Sequence, residues 1–453
     1  MVEKVVTGPG TGPGPGALSS AGPAENAHDK DLIRRRAAHL GGSMLFFRDP
    51  VHIVRGKGVW LYGEDGRQYL DCYNNVASVG HCHPHVVEAI SRQAGLLNTH
   101  TRYLHEGVVN YAERLAEKFP GKLDVCLFVC TGTEANELAM RIARTVSGKM
   151  GAVVMENAYH GNSVLMNELS TCLTGPDSRP VHVAAVEPPN TYRGPFGPHP
   201  QAGERYAVLV GEAIGRLNES GSGLAAFLCD TIFDSQGTLE APPDYFAQVY
   251  RQVRSAGGLC IADEVQAGFA RTGTMWGFEH YGVVPDIVTL GKPIGAGHPI
   301  GAVITSRENL AQFSQTEIYF NTFGGNPVSA AVGNAVLDVF EDEGLLAHVR
   351  DLSPYLRTGL EKLQQRHYRI GDVRGLGLFM GIELVKDRAT KEPDRQAALV
   401  VAELMREQGV LIGVSGRHGN VIKVRPPLPF SREHVDFLLE KLDVALSAPG
   451  TQA

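Results

Sequence analysis

The sequence predicts an α/β fold: a large domain built on a mostly parallel sheet, joined to a smaller α+β domain. Three observations predict it. From Val86 onward, short apolar runs alternate with segments of helical period. At 453 residues, 43% hydrophobic and 20% charged, the chain is long enough to bury two cores. After about residue 330 the alternation gives way to a long helical stretch, "PVSAAVGNAVLDVFEDEGL", and then to a strand-and-helix mixture containing "GLGLFMGIELV" and "NVIKVRPPL".

In chain order, residues 1–28 come first, with "TGPGTGPGPG" near their start; they hold too much glycine and proline to pack and are expected to form a disordered tail. Residues 29–80 carry "VHIVRGKGVWLYGEDGRQYLDC", two alternating runs around Asp65-Gly66, which reads as a β-hairpin belonging with the smaller domain. Residues 81–330 form the large domain, with strands expected at Val125 to Val129, Gly151 to Met155, Leu224 to Leu228, Leu259 to Ala262 and Ile287 to Leu290. Residues 331–453 complete the smaller one.

A net charge of −7, with no basic run longer than Arg34 to Arg36, gives no general attraction to nucleic acid or to an anionic membrane. No stretch approaches 18 apolar residues, and the N-terminus lacks the basic-then-apolar order of a signal peptide, so a cytoplasmic location is expected. The 7 cysteines are odd in number, include no C-x-x-C pair, and sit in apolar runs such as "VCLFVC" and "GLCIAD", where a thiol acts as a small hydrophobe.

In parallel sheets ligands bind at the carboxyl ends of strands, so the residues that end each run are read as a set. "IVTLGKP" ends on Gly291 and delivers Lys292 into a glycine-rich loop. Burial there lowers an amine's pKa and leaves it able to attack a carbonyl; otherwise Lys292 is an exposed lysine at a strand end. "FVCTGTEANE" passes from a strand through Gly132 and Thr133 into a helix, whose free N–H groups suit a phosphate unless the small residues are only turn chemistry. "GLCIADEVQ" ends on Asp263, which either caps the next helix or pairs with a buried cation. "VVMENAYHG" presents Tyr159 and His160, an aromatic pair that either joins the core or stacks on a flat ring. Together, lysine, acid, phosphate turn and stacking ring are what pyridoxal 5′-phosphate requires.

From residue 31 to 445 the chain resembles class III aminotransferases of pyridoxal-phosphate fold type I. The motifs "GHCHP", "TGTEANE", "YHG", "IADEVQAGFARTG", "TLGKPIGAGHPIGAV" and "NTFGGNP" occur in family order. The resemblance implies that Lys292 is the Schiff-base lysine and general acid/base, that Asp263 pairs with the pyridinium nitrogen, and that Gln266 reaches the ring hydroxyl. It further implies that Tyr159, with His160 beside it, stacks on the ring, that Gly132 and Thr133 hold the phosphate, and that Thr322 binds that phosphate from a neighbouring subunit of a homodimer. Pairing of dimers into tetramers stays open. "HCHPH", residues 81–85, offers three histidines and a cysteine, but the similar family loop carries no metal, and no metal is expected here.

Within the class the chain looks most like the phospho-lyase branch, on "YLDCYNNVASVGHCHPHVV", "LNTHTRYLHE", "VHVAAVEPPNTYRG" and "GDVRGLGLFMGIELVKD". That implies a lyase releasing phosphate and ammonia from a small phosphorylated amine, O-phosphoethanolamine first among them. A class III ω-aminotransferase using pyruvate or 2-oxoglutarate is the alternative. Many aminotransferases of the class carry "EPVQGEGG", whose second glutamate serves a carboxylate-binding arginine. Here "DTIFDSQG" puts Asp230 at the first glutamate, as a cofactor-site acid, and Ser235 at the second, so the dual-substrate switch is expected to be absent. Arg102, Arg193, Ser78 and Arg425 are the candidates for binding the substrate, against the plainer reading of the arginines as salt-bridged surface groups.

Overall fold

Apolar runs of four or five residues leave no face for water, so they need cover on both sides of a sheet. The computed structural model, which describes residues 27–41, 45–449 and 451, supplies it. Seven strands lie in the spatial order Val125–Val129, Gly301–Thr305, Ile287–Leu290, Leu259–Asp263, Leu224–Asp230, Gly151–Met155 and Val183–Val186. All run parallel except Gly301–Thr305, which is antiparallel to both of its neighbours. Consecutive side chains serve opposite faces: Val154 packs with Leu138 and Ile142 of the helix Gly132–Ser147, while Val153 packs with Tyr206 and Val210 of the helix Ala202–Glu219.

All five expected strands are present, two of them longer by one or two residues because their terminal acids, Asp230 and Asp263, continue the ladder. Val183–Val186 and Gly301–Thr305 were not expected. The first is a four-residue run half made of alanine, and the second opens on a glycine at the edge of the glycine-rich loop. Of the tail expected over residues 1–28, residues 1–26 lie outside the described residues, and the remaining two open the helix Ala27–Leu40.

The predicted hairpin forms between Trp60–Gly63 and Gln68–Asp71, with Gly66 at φ +81° and Asp65 Oδ1 accepting the Arg67 N–H at 3.0 Å. A preceding strand, Ile53–Lys57, makes it a three-stranded meander, and Val410–Leu411 joins its other edge in parallel. A further antiparallel sheet runs Ile370–Leu376, Phe379–Asp387, Val421–Val424, Gly413–Ser415. The strand Val421–Val424 then meets the hairpin, because the Arg425 N–H donates to the Cys72 carbonyl at 2.8 Å. This junction brings Lys423 and Arg425 to the carboxyl ends of the central strands. Among the described residues no helix is long and apolar enough to cross a membrane.

Candidate active site

The carboxyl ends of the parallel strands enclose a cavity of about 310 Å³ whose wall includes Thr131, Gly132, Thr133, Tyr159, His160, Asp230, Asp263, Gln266 and Lys292. The structure therefore gathers residues that are up to 161 positions apart, from Thr131 to Lys292. Lys292 follows the fully buried strand Ile287–Leu290 and opens a short 3₁₀ turn. The turn needs glycine before it: a Cβ on Gly291 would lie 3.3 Å from the Gly132 backbone. Burial lowers the Lys292 amine, and the charge of Arg425 lowers it further, against the opposing pull of Asp263, Asp234 and Asp230. The effect is to raise the fraction of neutral, nucleophilic amine.

Asp263 is buried, which by itself would raise its carboxyl. The hydrogen bond and charge of His160, the amide of Asn136 and the charge of Lys292 reverse that and hold it below the ordinary carboxylate value. His160 Nδ1 lies 2.8 Å from Asp263 Oδ2, and Asn136 Nδ2 donates to the same oxygen at 2.9 Å. Asn136 is fixed in turn by Thr289, whose hydroxyl donates to Asn136 Oδ1 at 2.7 Å, and by donating to the His160 carbonyl at 2.8 Å. The result is an acid kept ionised in the cavity wall, its other oxygen, Oδ1, accepting the Val265 N–H at 3.2 Å.

The helix Gly132–Ser147 begins with a capping box: Thr131 Oγ1 accepts the Glu134 N–H at 3.1 Å, and the Glu134 carboxylate accepts from Thr131 N–H at 3.0 Å and Cys130 N–H at 2.6 Å. Among the described residues no protein acceptor takes the N–H of Gly132 or Thr133, and these two residues line the cavity. Gly161, at φ +139°, passes so close that a Cβ would sit 2.7 Å from Thr133 Oγ1, so the wall here is backbone. An anion at this end meets free N–H groups and the positive end of a four-turn helix. Tyr159, 44% exposed, offers a flat ring on the cavity's open side.

Asp230 accepts the N–H groups of Ile232 at 3.1 Å and Asp234 at 2.9 Å; burial, with Asp263 and Asp234 near it, pushes its carboxyl up to about 7. Glu264, pushed up to about 8 by burial, is occupied by Thr231 and by the Gly277 and Phe278 N–H groups, and so ties loops together behind the cavity. Gln266 lines the cavity, with its amide donating to Asp234 and its carbonyl accepting from Asn75 at 3.0 Å and from Arg425.

None of the four residues expected to take the substrate is among those that line this cavity in a single chain. Arg193 is bonded to Glu383 and to the Lys391 carbonyl, and lines a separate, larger cavity of about 430 Å³ that shares no lining residue with the first. Ser78 is buried and donates to the Pro293 carbonyl at 2.6 Å, so its hydroxyl braces the lysine turn. Arg102 is exposed, its guanidinium 4.0 Å over the Phe320 ring, outside the cavity wall of a single chain. Thr322 is exposed in the same neighbourhood. Arg425 is buried behind Gln266, bonded to its carbonyl and, at 2.7 Å, to the Tyr73 carbonyl. The three histidines of "HCHPH" diverge to three carboxylates: His81 to Asp71 at 2.7 Å, His83 to Glu343 at 3.0 Å and His85 to Asp338 at 2.9 Å.

Three residues escaped the sequence reading. Asn136 lay inside a quoted motif without a role. Asp234 was passed over in "DTIFDSQG" because only its neighbours matched family positions, yet it is the acid that meets Arg425, at 3.9 Å, and Lys423, at 3.0 Å. Lys423 reads as an ordinary polar residue in a strand, and nothing local marks it as buried.

The family model for class-III aminotransferases matches residues 47–446. A Drosophila melanogaster protein named alanine–glyoxylate aminotransferase 2-like is 44% identical over 429 residues, 92% of this chain and 87% of that one. A Caenorhabditis elegans protein named ethanolamine-phosphate phospho-lyase homolog 1 is 38% identical over 441 residues, 92% of this chain and 93% of that one. Among solved structures, a phospholyase from Arthrobacter in complex with phosphoethanolamine superimposes with a TM-score of 0.90 at 45% identity, covering 92% of this chain and 100% of the other.

Proposed function

The chain belongs to the class-III aminotransferase family, whose cofactor is pyridoxal 5′-phosphate, and from that premise we propose that it is a lyase removing phosphate and ammonia from a small phosphorylated amine, O-phosphoethanolamine first among them. The residues present fit the cofactor. Lys292 is an amine of lowered pKa, Asp263 an acid held ionised, and Gly132 and Thr133 present spare N–H groups to an anion. Tyr159 gives the ring a platform, and Gln266 and Asp230 line the same wall. When bound, the cofactor supplies an electron sink for the carbon that carries the amine.

The chain's own part is to move protons and fix geometry. Lys292 Nζ takes the proton from the amine-bearing carbon, which requires it to be neutral beforehand; its buried setting favours that state. Asp263, held ionised, would keep a proton on the ring nitrogen of a bound cofactor. With a phosphate on the next carbon, expulsion of that group competes with return of the proton. The protein selects expulsion by binding the phosphate and turning its bond out of the plane of the neighbouring double bonds.

The observation that carries this reading is the 45% identity and full-length superposition with a phospholyase in complex with phosphoethanolamine. The absence of a glutamate at Ser235 supports it, since a lyase has no second substrate to admit. One correction applies to the expected loss of the switch: Asp234, one residue earlier, restores an acid opposite Arg425 and Lys423. The Drosophila relative's name favours aminotransfer as the second reading. The two part on the cofactor's fate. A lyase exposed to O-phosphoethanolamine keeps its cofactor in the aldehyde form over many turnovers, whereas an aminotransferase without a keto acid stalls in the amine form, visible as a lasting loss of absorbance above 400 nm on the order of the whole signal.

The reading includes a homodimer. Leu104, Ile318 and Phe323 are 102%, 90% and 69% exposed, an apolar group around Thr322 that a second copy would cover. Arg102 lies in that group, over Phe320, so it would face the neighbour's cavity along with Thr322. Light scattering should give twice 48.8 kDa. Ile318→Glu together with Phe323→Glu should give monomers that hold cofactor at least about tenfold more weakly; a folded monomer with unchanged cofactor affinity would remove the shared site.

A further inference from the structure

The larger cavity, of about 430 Å³, takes no part in the chemistry above, yet it has the size of a small-molecule site. One side is built by Glu156, Glu187 and Gln236, which follow the carboxyl ends of three neighbouring parallel strands, where ligands commonly bind. The other side is Glu383 with the loop 416–421. Each ionised side chain of this wall already has an opposite charge. Glu156 takes Arg179 through two contacts of 2.6 Å, Glu187 takes Arg417 at 3.1 Å, and Glu383 takes Arg193 and, at 2.6 Å, Arg374. An ion entering here would have to break one of these pairs and leave a charge without its partner.

What the wall leaves open is neutral. Gln236 is 7% exposed, yet among the described residues its amide makes no hydrogen bond. A buried amide has two donors and an acceptor to satisfy, and one left unserved calls for a partner. At the rim, the His418 ring is likewise without a hydrogen-bond partner among the described residues. Partial burial and the charges of Arg193 and Arg417 lower its pKa, so at pH 7 it is a neutral imidazole with one N–H and one bare nitrogen. Pro188 and Pro195 add apolar faces, and the Arg417 guanidinium, 58% exposed, is a plane on which a ring can stack. We propose that this cavity binds an uncharged nucleobase, free or as its nucleoside, through Gln236 and His418. An amide presents a donor and an acceptor side by side, which is the pattern a base edge carries. A sugar is the poorer match, because its hydroxyls are best served by carboxylates, and those here are taken. The site stands whichever of the two reactions the chain catalyses.

The test dialyses the cofactor-loaded protein against adenosine and uridine, their free bases adenine and uracil, and D-glucose. At least one nucleoside or base should bind with a Kd below about 1 mM and leave the visible absorbance of the bound cofactor unchanged. Gln236→Leu, which removes the amide and keeps the volume, should weaken that binding by about tenfold or more. His418→Leu should weaken it by roughly three- to tenfold. A base that binds as tightly as its nucleoside assigns the site to the free base; one that binds about tenfold more weakly assigns it to the nucleoside. No binding of any of the four below about 1 mM overturns the proposal, and so does equal affinity in folded Gln236→Leu and the parent. Glucose binding that depends on Gln236, with no base or nucleoside bound, overturns it as well. If Gln236→Leu does not fold, His418→Leu, at the exposed rim, decides alone.

Discussion

Lys292→Ala is expected to lose turnover by on the order of 10⁵-fold or more, because it removes the one lysine that lines the cavity among the described residues, which on the proposed reading both bonds the cofactor and moves the substrate proton. The visible absorbance of the lysine-bound cofactor should vanish with it. Lys292→Arg separates the two features that make the position work. It keeps a cation near Asp263 but cannot become neutral, so it should be as inactive as the alanine variant. Stability should change little in the alanine variant. The native amine is disfavoured as a cation by burial and by Arg425, so its removal relieves a cost. Activity within tenfold of the parent in either variant would remove the chemical basis of the account.

Asp263→Asn should lower kcat by about 10³-fold with cofactor still bound. The side chain keeps its shape, so the loss isolates charge from packing. In the parent, burial works against the ionised form, and His160, Asn136 and Lys292 together more than offset it. On the proposed reading, an amide at this position would hold no proton on a bound cofactor's ring nitrogen and would weaken the electron sink. The same carboxylate links the site to acid stability. Its folded pKa is depressed, so the stability it contributes is full above about pH 4 and is lost as pH falls through the lowered value. The asparagine variant should therefore show a flatter stability profile on the acid side. A cofactor-loaded variant that turns over within tenfold of the parent would show that the reaction does not need the charge of Asp263.

The strand ends were legible because each is announced locally. An apolar run stops at Lys292, Asp263 or Thr131, and parallel sheets put such stops on one edge. Legible, too, was the hairpin around Gly66, where the turn demands a positive φ. What escaped depends on pairings far apart in sequence. Lys423 and Asp234 are 189 positions apart, and their meeting requires the strand Val421–Val424 to cross toward the end of Leu224–Asp230. Arg193 misled for the same reason, since the glutamate that occupies it, Glu383, lies 190 positions away on the strand Phe379–Asp387. A guanidinium in a loop looks free until its partner is placed. Ser78 shows a subtler limit: expected to bind substrate, it donates its one proton to the Pro293 carbonyl.

The central claim is elimination. Its most direct test mixes the cofactor-loaded protein with O-phosphoethanolamine, with no keto acid present, and follows inorganic phosphate and acetaldehyde together. The account predicts equimolar release of both over many turnovers. A single turnover that stops, and resumes as amino transfer when pyruvate, glyoxylate or 2-oxoglutarate is added, would contradict it.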